Sequence, residues 1–397
     1  MDLQEHVVWL SRQPRVQDIW RYLDKVLADI LASAVLIQQI PAPTFRELVR
    51  ANHVLSCFGS CGLVDTGIDN LYNVYGRLPG KDPSAPALLI SAHTDTVFPE
   101  GTDLALRHEN GSRIAGPGIG DNSLGVAALV AIADIMRQFR VKPHRDIWFL
   151  ANSREEGLGD LGGIRAFYEQ YGHRLGRAIV IEGLTLGRVY HRGIAVRRLH
   201  VATYAEGGHS WQQFGRPSAI HHLLLLGARL VQLKPPEKPR TTYNIGIIQG
   251  GQSVNSLATS ASFYMDLRSE DPQTLRELET TVRGIIASES DRVEGISVTV
   301  DVVGDRPSGG ISADHELVRG AAAALQVVDL DCQLQAGSTD ANLLLDRGLP
   351  AVTIGLTTGG NTHRLDEYIN TEPLVKGMRQ LILLALAGAG WEPPPEL

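Results

Sequence analysis

ALLISAHTDTV, residues 87–97, opens as an unbroken apolar run and closes on polar residues that begin with histidine. A run of this length without alternation marks a strand covered on both faces, as in a parallel sheet. DIWFLAN (146–152), AIVIE (178–182) and AVTIG (351–355) repeat the pattern. Helical spacing fills the gaps, as in LGVAALVAIADIMRQF (124–139), and VQDIWRYLDKVLADIL and its neighbours predict helices over about residues 16 to 60. Strands alternating with helices predict an α/β layer structure around a mostly parallel sheet.

The middle of the chain reads differently. Strand (VRRLHVATYA), helix (PSAIHHLLLLGARLVQL) and strand (TTYNIGIIQG) are followed by strand (SASFYMDLR), helix (PQTLRELETTVRGIIASE) and strand (ISVTVDVVG). That βαββαβ order is the ferredoxin-like arrangement. The expected organisation is therefore a three-layer α/β domain over residues 1–192 and 306–397. A smaller α+β domain is inserted over 193–305, with the helix at 217–233 covering its sheet. RGI near Arg192 and DRPSGG (305–310) supply the hinges.

Bulk properties fit this division. The 397 residues exceed one ordinary core. A net charge of -7 with mixed signs offers no basic stripe for nucleic acid. MDLQEHVVWL lacks a basic region followed by an apolar stretch, and no uninterrupted apolar run reaches the roughly 20 residues that span a membrane. Cys57, Cys61 and Cys332 are sparse and odd in number, as expected of a reducing cytoplasm.

Open α/β sheets deliver functional residues at the carboxyl ends of their strands. His93 and Asp95 follow the first run, Glu155 and Glu156 the second, Glu182 ends the third, and His363 lies beyond the fourth. Asp121 follows the Gly-rich loop GPGIG and precedes a helix. Imidazole and carboxylate are good Zn²⁺ ligands, and mixed N/O sites also accept Co²⁺ or Mn²⁺. A pair of ions sharing one hydroxide needs a bridging carboxylate and two further ligands each. His93, Asp121, Glu156, Glu182 and His363 fill those five places. Asp95, two residues after His93, is placed to accept the second imidazole N–H. Glu155 and its neighbour Glu156 point different ways, so one can bind metal while the other takes a proton. Neither G-x-S-x-G nor H-E-x-x-H occurs, and GPGIG fits no nucleotide cradle.

These residues resemble a known family. SAHTDTV (91–97), GPGIGDNSLGVAAL (116–129), NSREEGLGDLGG (152–163), VIEG (180–183) and GGHSW (207–211) carry the resemblance. So do SVNSLATSASFYMDLRS (253–269), GSTDANLL (337–344) and GGNTHRLDEYI (359–369). They are similar, in order, to the dizinc metallopeptidases of the peptidase T, carboxypeptidase G, aminoacylase and acetylornithine or succinyl-diaminopimelate deacylase group. The resemblance implies His93 and Glu182 on one zinc, Glu156 and His363 on the other, and Asp121 between them. Asp95 would orient His93, and Glu155 would be the general base. Position 182 is aspartate in many members and glutamate in aminoacylase-like ones.

In the inserted domain the resemblance implies oxyanion stabilisation by His209 and substrate-carboxylate binding by Asn255 and Arg268. The structural alternatives are a hydrogen bond for His209, a turn for Asn255 and an ion pair with Asp266 or Glu270 for Arg268. Trp211 lines either the cleft or a dimer contact, and Ser338, Thr339 and Asp340 shape the pocket floor. The expected enzyme is a two-metal hydrolase of di- or tripeptides, active through a metal-bridged hydroxide. Its alternative is an N-acyl or N-carbamoyl amino-acid amidohydrolase, and a catalytically inactive binding relative is the reading from another class. A homodimer through the inserted domain, which also closes over the site, completes the expectation.

Overall fold

A computed structural model describes residues 1–290 and 292–394. The chain divides into two compact units, Met1–Gly193 with Gly309–Leu397, and Ile194–Ser308.

Three helices open the first unit: α1 (Leu3–Ser11), α2 (Pro14–Gln38) and α3 (Leu48–Ser60). The strands β1 (Val64–Ile68), β2 (Val74–Leu78) and β3 (Ala87–His93) follow, then the short pair β4 (Arg107–Glu109) and β5 (Arg113–Ala115). Next come α4 (Gly125–Gln138), β6 (Ile147–Asn152), α5 (Gly162–Tyr171), β7 (Leu175–Glu182) and β8 (Arg188–Gly193). The second unit holds β9 (Ala195–Ala205), β10 (Gly208–His209), α6 (Ala219–Leu230) and β11 (Thr241–Gly250). It continues with β12 (Ser256–Leu257), β13 (Ser260–Ser269), α7 (Pro272–Ser290) and β14 (Ile296–Arg306). The first unit resumes with α8 (Glu316–Val327), β15 (Gln333–Gly337), α9 (Ala341–Asp346) and β16 (Ala351–Gly355). It ends with β17 (Gly359–Gly360), β18 (Tyr368–Asn370) and α10 (Leu374–Gly388).

The main sheet is mixed, in the order β1-β2-β6-β3-β7-β16-β8-β15. Its four central strands, β6, β3, β7 and β16, run parallel, and β1, β2 and β8 bring the antiparallel pairings. Every residue of β3 and β6 is buried because both faces are covered. Leu88, Ile90 and Ala92 join the core with residues of α1–α4, α8 and α10, whereas Ala87 and Leu89 join the core with α5 and α9. Successive side chains thus feed opposite layers, giving three layers. One continuous helical stretch among the described residues, Ile119–Gln138, is long and apolar enough to cross a membrane. As in a core helix, 78% of its apolar window is buried inside the fold.

In the second unit the sheet order is β11-β13-β9-β14, antiparallel throughout. Along β13, Ala261, Phe263, Met265 and Leu267 are buried, joining Leu223, Leu226 and Leu230 of α6 and Leu278 and Val282 of α7 in one core. The alternate residues, among them Tyr264, Asp266 and Arg268, line the more exposed face.

Candidate metal centre

Register places the site. His93 of β3 lies opposite Asn152 of β6, and Glu182 of β7 lies opposite Gly355 of β16. Four adjacent parallel strands therefore end at one level, which is where an open α/β sheet gathers polar side chains. Past β6 the chain turns through Arg154 at φ 57° and delivers Glu155 and Glu156, both buried. Asn122 holds the turn before α4 to the end of β7, donating to the Ile181 carbonyl at 2.8 Å and accepting the Gly183 N–H at 2.9 Å. Asp121 is thereby brought beside Glu182.

The five sequence-predicted ligands converge. His93 Nε2 lies 3.1 Å from Asp121 Oδ1 and 3.7 Å from Glu182 Oε2. His363 Nε2 lies 3.2 Å from Asp121 Oδ2 and 3.2 Å from Glu156 Oε1. Asp121 is common to both triads, with one oxygen toward each imidazole. Two ligands at about 2.1 Å from a tetrahedral ion stand roughly 3.4 Å apart, so the spacing suits Zn²⁺. Glu155 also falls within ligating reach of His93 and Glu156, their donor atoms lying within 4.8 Å of one another.

The donor set is short of positive charge without a cation. Burial and then the Asp121 charge push Glu156 up to about 7. Burial raises Glu182 to about 7 against the attraction of the nearby His93. Hydrogen bonds to Asp121 and Glu156 hold His363 at about 11. Burial works to lower His93, yet the surrounding carboxylates of Asp121, Asp95 and Glu182 outweigh that and keep it well above the usual imidazole range. Desolvation opposes ionisation of Asp121, but His363 and His93 hold its carboxyl below the ordinary carboxylate range. Carboxylates crowded around two imidazoles out of water are what divalent cations satisfy.

Asp95 departs from its expected contact. The nearest acceptor to His93 Nδ1 is the main-chain carbonyl of Asp95 at 3.1 Å, and the carboxylate stands 3.6 Å away. That carboxylate instead accepts the N–H groups of Glu155 and Glu156, both at 2.9 Å, and the Thr44 hydroxyl at 2.8 Å. Three further polar groups support the site. Asp340, fully buried, accepts from Asn152 Nδ2 at 2.7 Å, and burial followed by the Glu155 charge raises its carboxyl well above the usual range. Glu47 accepts the N–H of Arg154 at 3.1 Å, and Glu367 accepts that of Asp121 at 2.9 Å. Their partners are main-chain or amide groups, which leave no trace in residue type.

His209, Asn255 and Arg268 belong to the second unit. β10 and β12 pair His209 with Ser256, and Ser210 donates its N–H to the Asn255 carbonyl at 3.1 Å, so His209 and Asn255 are neighbours. His209 Nδ1 accepts the Trp211 N–H at 3.2 Å, which leaves the proton of a neutral ring on Nε2. Asn255 Oδ1 accepts the Ser253 hydroxyl at 2.6 Å. Arg268 pairs through Nε with Asp266, which also pairs with Arg198 at 2.9 Å.

The family model described as "Peptidase family M20/M25/M40" matches residues 89–387. Among curated relatives, acetylornithine deacetylase of Shigella sonnei (strain Ss046) is 26% identical over 335 residues, covering 80% of this chain and 84% of that protein. Among solved structures, the dipeptidase Dug1p of Saccharomyces cerevisiae superposes with a TM-score of 0.77 at 13% identity, covering 94% of this chain and 98% of that one. Aminopeptidase PepT of Bacillus cereus ATCC 10987 gives 0.69 at 18% identity, covering 91% and 98%. The family match takes in most of β3 and all of β6, β7 and β16, with all five converging side chains, and the chain belongs to peptidase family M20/M25/M40, a metal-dependent hydrolase of amide bonds.

Proposed function

We propose that this chain hydrolyses small N-acylated amino acids with two zinc ions. His93 and Glu182 would hold one ion, Glu156 and His363 the other, and Asp121 both. The observation that carries this reading is Asp121, whose two oxygens face different imidazoles at 3.1 and 3.2 Å. A bound ion pair supplies Lewis-acid polarisation of the carbonyl and lowers the pKa of water toward 7. Glu155 takes the proton of the attacking water and returns it to the leaving amine. Asp95 anchors the main chain of Glu155 and Glu156 together, fixing base and ligand with one carboxylate. His209, with its proton on Nε2, donates to the carbonyl oxygen as negative charge gathers there. Arg268, held at Nε by Asp266, offers its terminal nitrogens to the substrate carboxylate, with Asn255 beside His209 as a further polar contact.

The substrate class rests on two observations: glutamate at position 182, shared with aminoacylase-like members, and a 26% identical relative named as a deacetylase. Di- and tripeptides, the first expectation from sequence, form the other arm of the test. The unit Met1–Gly193 with Gly309–Leu397 is assigned the chemistry, and Ile194–Ser308 is assigned dimerisation and a lid. A homodimer is supported by the open edge of β11, where Ile247 and Ile248 are exposed. Three free cysteines fit a cytoplasmic setting.

Metal content by elemental analysis, paired with a panel of N-acyl amino acids and short peptides before and after chelation, tests the reading. About two zinc per chain and chelator-sensitive cleavage of N-acyl amino acids are expected. Cleavage of peptides alone would move the substrate to that class, and no stoichiometric metal after reconstitution would overturn the site.

A further inference from the structure

The loop GPGIG ahead of Asp121 has little of its own to hold it, since Gly116, Gly118 and Gly120 carry no side chain. Nor is there room for one at position 120, where a Cβ would lie 2.7 Å from Leu184 Cγ and 3.0 Å from Ile369 Cγ2. The loop is therefore held by hydrogen bonds to its main chain: Gln38 Nε2 donates to the Pro117 carbonyl at 2.8 Å, Asn122 ties its end to β7, and Glu367 takes the N–H groups of Gly120 and Asp121. Glu367, fully buried, accepts the N–H of Gly120 at 2.8 Å and of Asp121 at 2.9 Å, both on Oε1. Its carbonyl accepts the Gly116 N–H at 2.7 Å, so the loop is gripped at both ends by the same residue.

Glu367 is also four residues after His363. Its own N–H donates to the Arg364 carbonyl at 3.0 Å, which closes the turn behind His363. Immediately after it, β18 pairs antiparallel with β5, Tyr368 opposite Ala115 and Ile369 opposite Ile114. The segments bearing the two partners of one ligand triad, Asp121 and His363, are thus fastened to each other through this acid. No ion pair to Glu367 occurs among the described residues, so its Oε1 is committed to main-chain donors while Oε2 is buried without a hydrogen-bond partner. A carboxylate removed from water is costly without such bonds.

We propose that Glu367 is a positioning residue for the metal pair, setting the Asp121 carboxylate between His93 and His363. The inference rests on the metal reading above. Outer partners of ligating groups commonly tune metal affinity by about 10–100-fold.

The test is zinc titration of stripped protein against a chromophoric chelator, for wild type, Glu367→Ala and Glu367→Gln, with kcat and KM at saturating zinc. Glu367→Ala should bind zinc about 10–100-fold more weakly, with KM unchanged once the metal is saturating. Glu367→Gln keeps an acceptor oxygen and should stay within about threefold of wild type. Wild-type zinc affinity in Glu367→Ala would overturn the proposal. So would a glutamine variant as weak as alanine, or a loss confined to metal-free thermal stability. Should alanine fail to fold, Glu367→Asp, one methylene short of the two N–H groups, takes its place: weakened zinc supports the role and wild-type affinity overturns it. Wild-type protein that binds no zinc would instead fail the metal reading itself.

Discussion

Arg50 is 2% exposed, yet its guanidinium finds main-chain oxygens: Ile40 at 3.0 and 2.6 Å and Thr94 at 2.8 Å. It pins the loop after α2 to the end of β3, directly behind His93. Glu47, on the same turn of chain, is fully buried, and burial followed by the Asp95 charge raises its carboxyl from 4.5 to about 7. The folded metal-free protein therefore holds this proton more tightly than the unfolded chain does. That contribution is complete below about pH 4.5 and is lost as pH rises through 7. Glu47→Gln should remove a stability decline on the order of 2–3 kcal/mol between those limits, read from denaturant melts of chelated protein. An unchanged pH slope would show that Glu47 does not titrate there. Glu155 calls for kinetics. Glu155→Gln should lower kcat by about 10²–10⁴-fold while zinc content stays at the wild-type level. Near-normal turnover would assign the base elsewhere.

The end of β7 is packed against the turn that carries Asp121. A Cβ on Gly183 would sit 2.0 Å from the Gly120 carbonyl oxygen, a main-chain atom that can move only by taking Asp121 with it. Gly183→Ala should weaken zinc binding roughly tenfold and cost about 1–3 kcal/mol of stability. Calorimetric zinc titration and a denaturant melt check both, and wild-type values in both would refute the packing argument. The four central strands were legible because burial on both faces leaves an unbroken apolar run, and the runs at 87–92, 146–152, 178–182 and 351–355 each fall on one. The edge strand β1 and its neighbour β2 (VDTGI and VYGRL) show no such run: β1 has no buried residue, and β2 alternates only part of the way. β17 and β18, of two and three residues, pair with each other and are held through β18 by the distant β5, which no local pattern reports. The candidate ligands were legible as polar residues at strand ends. The roles of Arg50, Glu47 and Glu367 were not, because their partners are peptide groups elsewhere in the chain.

At the scale of the molecule, the second unit presents a strand with one open edge. Among the described residues β11 bonds only to β13, and Ile247 and Ile248 lie exposed on it, with Leu224 and Leu225 exposed on α6. If two chains join along this edge, Ile248→Lys should shift the protein from dimer to monomer in light scattering after size exclusion, because an edge lysine opposes strand addition. A dimer that persists would place the contact elsewhere. The way this unit is inserted has a consequence for the order of assembly. Val196 and Arg306, near its two ends, are cross-strand partners in its own sheet. In the first unit, Gly193 donates to Gly309 at 2.7 Å, where the chain leaves and returns. Once the second unit has formed, it presents its ends as ready neighbours. The first unit then joins its distant halves without bearing about 4 kcal/mol of loop-closure entropy for a span of more than a hundred residues. A chain whose two halves are separated by synthesis is thereby rejoined by the part folded between them.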